Sequence, residues 1–393
     1  MIPSGKVGPD GKTPRRRAAV SHSVIEALTG TGTGTGSASA PAPAPAFKAA
    51  DLSKRSLFIG FSGGLDSSVL THALLQVMRP LGGRLMAVHV NHRLQPAAMQ
   101  FERHCREMAR LWNVALTVKR PAQVQGQASQ LGLEASARLR RYAAFEQVMG
   151  LKAASRRTEE PGLAKPTGLP EDPGSSNWPV LVLAHHANDQ VETALLQWMR
   201  GAGLEGLSAM PVLSQREGYI LWRPLLSLTR STLEDYARSC KLPFIEDPSN
   251  ALLDQDRNRL RQQVFPVLRA MRPGAVAAMT RSLQHLQQAR LLLEQLDQDD
   301  LAGCVQAQGL SLTALLRLPA ARQTRTFRAW LVGHQKLPGA AMPPARRLEE
   351  FLRQLRTARA GRRPLLAVTA PSTGGGPSFR VRLRAGFLTV EWV

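Results

Sequence analysis

Cysteine is scarce in this chain: Cys105, Cys240 and Cys304 are the only three in 393 residues, and they stand far apart. So sparse a set builds no disulfide framework and offers no C-x-x-C pair for a metal or an iron–sulfur cluster, which is the pattern of a protein of the reducing cytoplasm. Long apolar runs are also missing. No stretch approaches the roughly 20 residues a membrane-spanning helix needs, so the sequence predicts no membrane segment. Arg15-Arg16-Arg17 is not followed by an apolar segment of signal-peptide length. Acidic residues are the third shortage: 29 Asp+Glu stand against 51 Lys+Arg, a formal net charge of +22. That excess points to a polyanionic partner, nucleic acid foremost, with a merely solvated basic surface as the plainer alternative.

What is present organises itself into two domains. Residues 1–50 carry the tract GTGTGTGSASAPAPAPA, whose composition cannot offset its ordering entropy, so a disordered tail is predicted there. From Lys54 onward short apolar runs alternate with helical spacing. The runs 57–61, 85–90, 115–118 and 180–183 read as buried strands; 66–78, 99–112, 132–142 and 191–199 read as helices. This alternation predicts an α/β fold with a doubly wound parallel sheet over 51–263. A helix over 231–240 is expected to open with a Ser231-x-x-Glu234 capping box. Residues 151–178 lack periodicity and read as a mobile insertion. Over 264–393 the pattern becomes amphipathic helices, with Leu283, Leu286, Leu293 and Leu296 as apolar positions, so a smaller α-rich domain is expected. Its arginine-studded helix 345–360, with Arg346 and Arg353, and the strand 378–384, with arginines on one face, favour a phosphate footprint of RNA.

Between the first strand and its helix lies Ser62-Gly63-Gly64-Leu65-Asp66-Ser67-Ser68. A helix begins there, and its free N–H groups and dipole favour an anion; two glycines allow close backbone approach and three serines add donors. No lysine follows the glycines, so this is not the Walker pattern. A carboxylate at Asp66 would repel phosphates unless a divalent cation lay between, which points to a Mg²⁺-nucleotide. His89, Asn91 and His92, at the end of the next strand, are candidates to line an adenosine pocket. Arg138 and Arg141 share a helix face at i, i+3, with Glu134 one turn from Arg138. Asp189 and Glu192 also stand at i, i+3 beyond a buried strand. Both carboxylates can lie on one face near the strand's carboxyl end; the alternatives are a capping box running from Asp189 to Glu192, and a zinc site on His185 and His186. Arg257 and Arg261 suit either phosphate positioning or a local salt-bridge network.

Taken in order, SGGLDSS, HVNHRL, EASARLRRY, AHHANDQVETALLQWMRG, WRPLL and EDPSN with DRNRLR resemble the tRNA(Ile)-lysidine synthetases, within the superfamily of PP-loop ATP pyrophosphatases. The sequence departs from the family pattern at Gln95 and at Leu252-Leu253 and Gln255, and longer members carry a further domain beyond the point where this chain stops. The resemblance implies an ATP- and Mg²⁺-dependent ligase that joins free L-lysine to the wobble cytidine of a tRNA(Ile) with a CAU anticodon, by way of an adenylated tRNA. Lysidine, AMP and diphosphate are the products, and a homodimer is compatible with it. On that reading Ser62, Gly63, Gly64, Leu65, Asp66 and Ser67 hold ATP with His89, Asn91 and His92, and Asp66 places the metal. Asp189 and Glu192 bind the lysine ammonium, Arg138 faces the α-phosphate or the RNA, and Arg141, Arg257, Arg261, Arg346 and Arg353 contact RNA. A tRNA thiolase of the same superfamily and a non-catalytic nucleotide- or RNA-binding protein are the alternatives.

Overall fold

Short apolar runs bounded by polar turns become parallel strands in the computed structural model. It describes residues 24–26, 28, 47, 54–93, 97–121, 133–151, 178–246, 256–334, 343, 345–357, 365–368 and 379–392. Contacts divide the chain into two compact units, with the boundary at Leu286/Gln287.

The first unit is built on strands β1 (Ser56–Gly60), β2 (Arg84–Val90), β3 (Ala115–Lys119), β4 (Val180–Val182), β5 (Leu213–Arg216) and β6 (Tyr219–Trp222). They lie in the order β3-β2-β1-β4-β6-β5; only β5 runs antiparallel to its neighbour. Helices α1 (Leu65–Met78), α2 (Ala98–Leu111), α3 (Leu133–Val148), α4 (Ala187–Met199) and α5 (Arg230–Ser239) connect or follow the strands. The chain steps from β1 outward to β2 and β3, then returns to the other side of β1 as β4. That reversal puts a crevice at the carboxyl ends of β1 and β4, where open α/β sheets take their ligands.

The apolar runs do what their composition requires. Leu57 and Ile59 of β1 are fully buried against Val69, Leu70 and Leu74 of α1, each side chain contributing about 2 kcal/mol of transfer free energy. Two expectations are corrected. Within 1–50, Val24, Leu28 and Phe47 are buried in this same core, and Phe47 meets Trp222 edge-on at 5.3 Å. Val24 and Leu28 are spaced i, i+4, and a single apolar helix face outweighed the low-complexity composition around it. The GTGTGTG tract itself lies outside the described residues, as does 152–177 of the expected insertion. Helix α5 is capped not at Ser231 but at Thr229, whose hydroxyl receives the Thr232 N–H at 3.4 Å.

After α5 the chain forms the single turn Asp256–Arg259, a π-helix over Leu260–Val264, helix α6 (Phe265–Met271) and the long α7 (Ala275–Cys304). Val276 packs with Ala187 and Val191 of α4, and Leu283 with Ala194. Those contacts carry the first unit past the expected boundary at 263. The second unit holds α8 (Leu312–Arg317), α9 (Ala320–His334) and α10 (Ala345–Thr357), with Phe327 stacked on Trp330 and Phe351. It also holds an antiparallel sheet, β7 (Val305–Gln306), β8 (Gly309–Ser311), β11 (Phe387–Trp392), β10 (Phe379–Arg384) and β9 (Leu365–Val368) in spatial order. Among the described residues no helix is long and apolar enough to cross a membrane.

Candidate active site

The turn after β1 is shaped by its own hydroxyls. Ser67 Oγ receives the N–H groups of Ser62 and Gly63, each at 3.2 Å, and donates to the Gly64 carbonyl at 3.1 Å. Ser67 therefore builds the loop, where the sequence reading expected it to donate to a ligand; Ser62 is the exposed hydroxyl, 3.0 Å from Ser67 Oγ. The two glycines differ in kind. Gly63 sits at φ +85°, and a Cβ there would come within 2.9 Å of Cys105 Sγ, so the fold itself demands glycine. Gly64 has an ordinary φ of −78°, and a Cβ on it would meet nothing nearer than 3.6 Å. What Gly64 leaves open is room for a ligand. No side chain caps α1, so the N–H groups of its first turn stay available to an anion. Asp66 stands in that turn with Oδ1 buried and without a hydrogen-bond partner, and Ser68 Oγ is in the same condition.

Across the crevice, α4 begins in a reciprocal capping box. His186 is the N-cap: its Nδ1 receives the Asn188 N–H at 3.2 Å, and Asp189 Oδ2 receives the His186 N–H at 3.0 Å. The box thus runs from His186 to Asp189, three residues earlier than the alternative weighed from sequence. Since Nδ1 accepts, the ring proton lies on Nε2, which stands 3.6 Å from Asp66 Oδ2. Burial opposes protonation of His186, but Asp189 and Asp66 outweigh it and raise its pKa. One histidine therefore touches the carboxylates of both halves of the crevice.

Asp189 and Glu192 do share a face, and Arg261 closes it. Its Nη2 donates to Asp189 Oδ1 at 3.0 Å and to Glu192 Oε2 at 3.0 Å, and its Nε to Glu192 Oε1 at 2.5 Å. Burial works against ionisation of Asp189, yet His186, His185 and Arg261 overcome it and hold the carboxyl down at about 2. In Glu192 burial wins and raises the pKa, despite Arg261. Arg261, expected on RNA, thus spends its fork on the two carboxylates.

The remaining candidates fall into three groups. At the end of β2, the amide of Asn91 is consumed locally: Nδ2 donates to Glu102 Oε2 at 3.0 Å, and Oδ1 receives the Arg93 N–H at 2.9 Å. Asn91 is a strut of the β2–α2 connection, and this geometry lends no support to its lining an adenosine pocket. His89 Nδ1 lies 2.9 Å from the Phe61 carbonyl, which leaves Nε2 buried and unpartnered. Both ring nitrogens of His92 lack partners, and burial with Arg141 and Arg140 lowers its pKa to about 4, so the ring is neutral at physiological pH. On α3, Arg138 lies over the Tyr142 ring at 6.0 Å with Nε buried and unpartnered, whereas Arg141 is exposed. Arg257 is half-buried; in the second unit Arg346 and Arg353 are exposed on α10, and Arg353 forks onto Glu350.

Two buried polar side chains near these candidates, Arg223 and Tyr142, were not singled out from sequence. Arg223, directly after β6, is fully buried, anchored through Nη1 to the Pro211 carbonyl and Ser214 Oγ, with Nε and Nη2 unpartnered. The hydroxyl of Tyr142 and Nδ1 of His185 are buried without partners as well. Arg223 and Arg138 both bear on the titration of Tyr142 and His185, lowering the pKa of Tyr142 against burial and that of His185 along with it. Burial, with the nearby Arg216 and Arg138, lowers Arg223 to about 10 although Tyr142 opposes the shift, so it remains a cation. An arginine next to a strand of Tyr-Ile-Leu-Trp was the available signal. Among the described residues no three His, Cys, Asp or Glu side chains group as metal ligands, which leaves the zinc alternative without support.

Comparison with known proteins adds to this geometry. The family model described as the PP-loop domain matches residues 44–155 and 172–268, and that described as the TilS substrate binding domain matches 310–385. The tRNA(Ile)-lysidine synthase of Coxiella burnetii is 35% identical over 300 residues, covering 76% of this chain and 60% of that protein. That of Shigella flexneri is 38% identical over 321 residues, covering 81% of this chain and 67% of that protein. Among solved structures, the U34-tRNA thiolase NcsA from Methanococcus maripaludis superposes with a TM-score of 0.49 at 13% identity, over 69% of this chain and 78% of that one, too loosely to carry an argument. The chain therefore spans about 60% to two-thirds of the length of the curated relatives it matches.

Proposed function

The chain belongs to the tRNA(Ile)-lysidine synthase family, and from that premise we propose that it ligates lysine to C2 of the wobble cytidine of a CAU-anticodon tRNA(Ile) in two ATP-driven steps. ATP binding comes with the PP-loop domain. The observation that carries the rest is His186, with Nε2 3.6 Å from Asp66 and Nδ1 3.7 Å from Asp189: an anion cradle and a cation-binding carboxylate stand on either side of one ring. A reaction that first expels pyrophosphate and then admits a cationic amine needs that adjacency.

In the first step the cytidine O2 attacks the α-phosphorus of ATP and pyrophosphate leaves. The uncapped N-terminus of α1 receives the pyrophosphate oxygens, and the space left by Gly64 admits them. The buried, unpartnered Oδ1 of Asp66 would suit a divalent cation accompanying the nucleotide. Asp66 would hold Mg²⁺ there, and the chemistry the ion would supply is to offset charge growing on the leaving group. Arg138 and Arg223, each with unpartnered guanidinium atoms, are suited to the α-phosphate or to an RNA phosphate. In the second step the lysine amine attacks C2 and AMP departs. Asp189 and Glu192 hold the ammonium and help to deprotonate it; Asp189, held at about 2, supplies the fixed charge, and Glu192, whose pKa is raised by burial, is the stronger base of the two. Arg141 and Arg257, together with Arg346 and Arg353 of the second unit, supply phosphate contacts to the tRNA.

Pyrophosphate release with ATP, Mg²⁺, lysine and an unmodified CAU-anticodon tRNA(Ile), followed by mass analysis of the RNA, tests the proposal. A lysine-sized adduct on the anticodon cytidine is expected. Pyrophosphate without adduct would point to another nucleophile, as in the thiolases; Cys105 argues against that, since burial pushes its thiol up to about 12. No release at all would favour a binding protein.

A further inference from the structure

The lysine-site carboxylates already hold a cation. All four of their oxygens are engaged: both of Glu192 and one of Asp189 by Arg261, the last by the His186 N–H. Glu192 is 1% exposed, so with Arg261 in place no ammonium can reach it. An ammonium sharing Asp189 alone would sit beside a guanidinium, like charge against like charge, in a partly desolvated site. Yet an empty pair could not stand open either, because two carboxylates on one helix face repel, and a buried one left alone takes up a proton. The site needs one cation at a time.

We propose that Arg261 is a built-in stand-in for the substrate ammonium: it latches Asp189 and Glu192 shut in the lysine-free enzyme and is displaced when lysine enters. This rests on the lysine reading of the pair given above. The latch has the means to move. Its guanidinium side chain is 32% exposed, whereas its partners are at 14% and 1%, so the arginine is the member with a route to solvent. It stands on the π-helix Leu260–Val264, where one surplus residue is accommodated between the turn Asp256–Arg259 and α6. Passing that residue along the helix turns a side chain by about 100°, enough to withdraw the fork without unfolding the element. The displaced guanidinium would leave the carboxylate pair to a single ammonium, so binding lysine exchanges one cation for another. The latch would thereby keep weaker cations and bulk water from the pair until a ligand with enough further contacts competes.

The test compares wild type with Arg261→Lys and Arg261→Met, using labelled lysine in equilibrium dialysis and lysine saturation of AMP release, with pyrophosphate release measured separately. A latch predicts that the lysine Kd and KM fall in both variants, by about 3- to 10-fold in Arg261→Met, while the pyrophosphate-forming step keeps its rate. Guanidinium ion added to Arg261→Met should raise the lysine KM again by competition. Arg261→Lys keeps a positive charge near Glu192, so it serves should Arg261→Met fold poorly. A lysine KM that rises in Arg261→Lys would overturn the latch and make Arg261 a permanent strut; an unchanged KM would overturn it as well. Wild type that neither binds lysine nor releases AMP in response to it would overturn the functional reading and the latch together, which separates the two failures.

Discussion

Asp189 Oδ2 receives the backbone N–H of His186 at 3.0 Å, so a side chain assigned to lysine also closes the first turn of its own helix. The two roles separate by substitution. Asp189→Ala removes charge and cap together, lowering stability by about 1 kcal/mol and lysine-dependent turnover to background, while tRNA binding stays near wild type. Asp189→Asn keeps an oxygen for the His186 N–H but strips the charge that Arg261 faces, so its thermal midpoint should fall while the cap persists, and turnover should fall by about 100-fold or more. Calorimetry beside single-turnover kinetics checks both. Full activity in either variant would remove Asp189 from the lysine site.

On the other side of His186, Asp66 has one oxygen facing that ring and one buried with no partner. Asp66 is only half-buried and approaches His186 no closer than 3.6 Å, so Asp66→Asn should lower the unfolding midpoint only slightly. Pyrophosphate release should fall by about 100-fold, with the Mg²⁺ needed for half-maximal rate shifted upward. Chelating Mg²⁺ from wild type should reproduce the loss reversibly. If the Mg²⁺ dependence of Asp66→Asn equals that of wild type, the metal sits elsewhere.

The strands and the loop were legible because they depend on local signals: apolar runs bounded by turns, and glycines before a helix. Asp189 and Glu192 were placed on one face by spacing alone. What fills that face was not legible, since Arg261 comes from 69 residues further along the chain. Arg223 was missed for the same reason: its burial follows from β6 lying inside the sheet, a tertiary fact. Ser67 looked like a ligand donor and proved to be loop framework, because a hydroxyl's direction is set by backbone geometry that a motif does not state. Val24 and Leu28 were overlooked inside a compositionally biased segment, where two apolar positions one turn apart were signal enough.

Glu102 shows how a polar strut near the crevice depends on pH. Burial disfavours its ionisation, but Arg120, Asn91 and Arg106 more than compensate and hold its carboxyl down at about 2, below the ordinary 4.5. A depressed carboxylate stabilises the fold fully above its unfolded value and loses that contribution as pH falls through its folded one. Wild type should therefore lose stability between pH 4.5 and about 2 by this group. Glu102→Gln should remove that part of the slope and cost about 3 kcal/mol at neutral pH, since it strips the charge that Arg120 and Arg106 face. Urea midpoints measured at pH 7, 4 and 3 decide it, and an unchanged slope would relocate the acid sensitivity.

The tRNA contacts assigned to the second unit can be ranked from their present partners. Among the described residues Arg346 is exposed and makes no ion pair, so it can meet a phosphate without giving anything up. Arg353 is exposed too, but its Nε and Nη2 are bound to Glu350 at 2.8 and 2.7 Å. Exposed pairs of this kind are weak and screened by solvent, so a phosphate can recruit Arg353 at little cost. Arg346→Ala should weaken tRNA binding at low salt and reduce the slope of log K against log salt by about 1, and Arg353→Ala should do less. Glu350→Gln should act in the opposite direction, freeing Arg353 and tightening binding by a few-fold at most. Filter binding across a salt series measures all three. A Glu350→Gln variant that binds no better, alongside an Arg353→Ala variant indistinguishable from wild type, would take Arg353 out of the RNA footprint and leave Arg346 as the contact on α10.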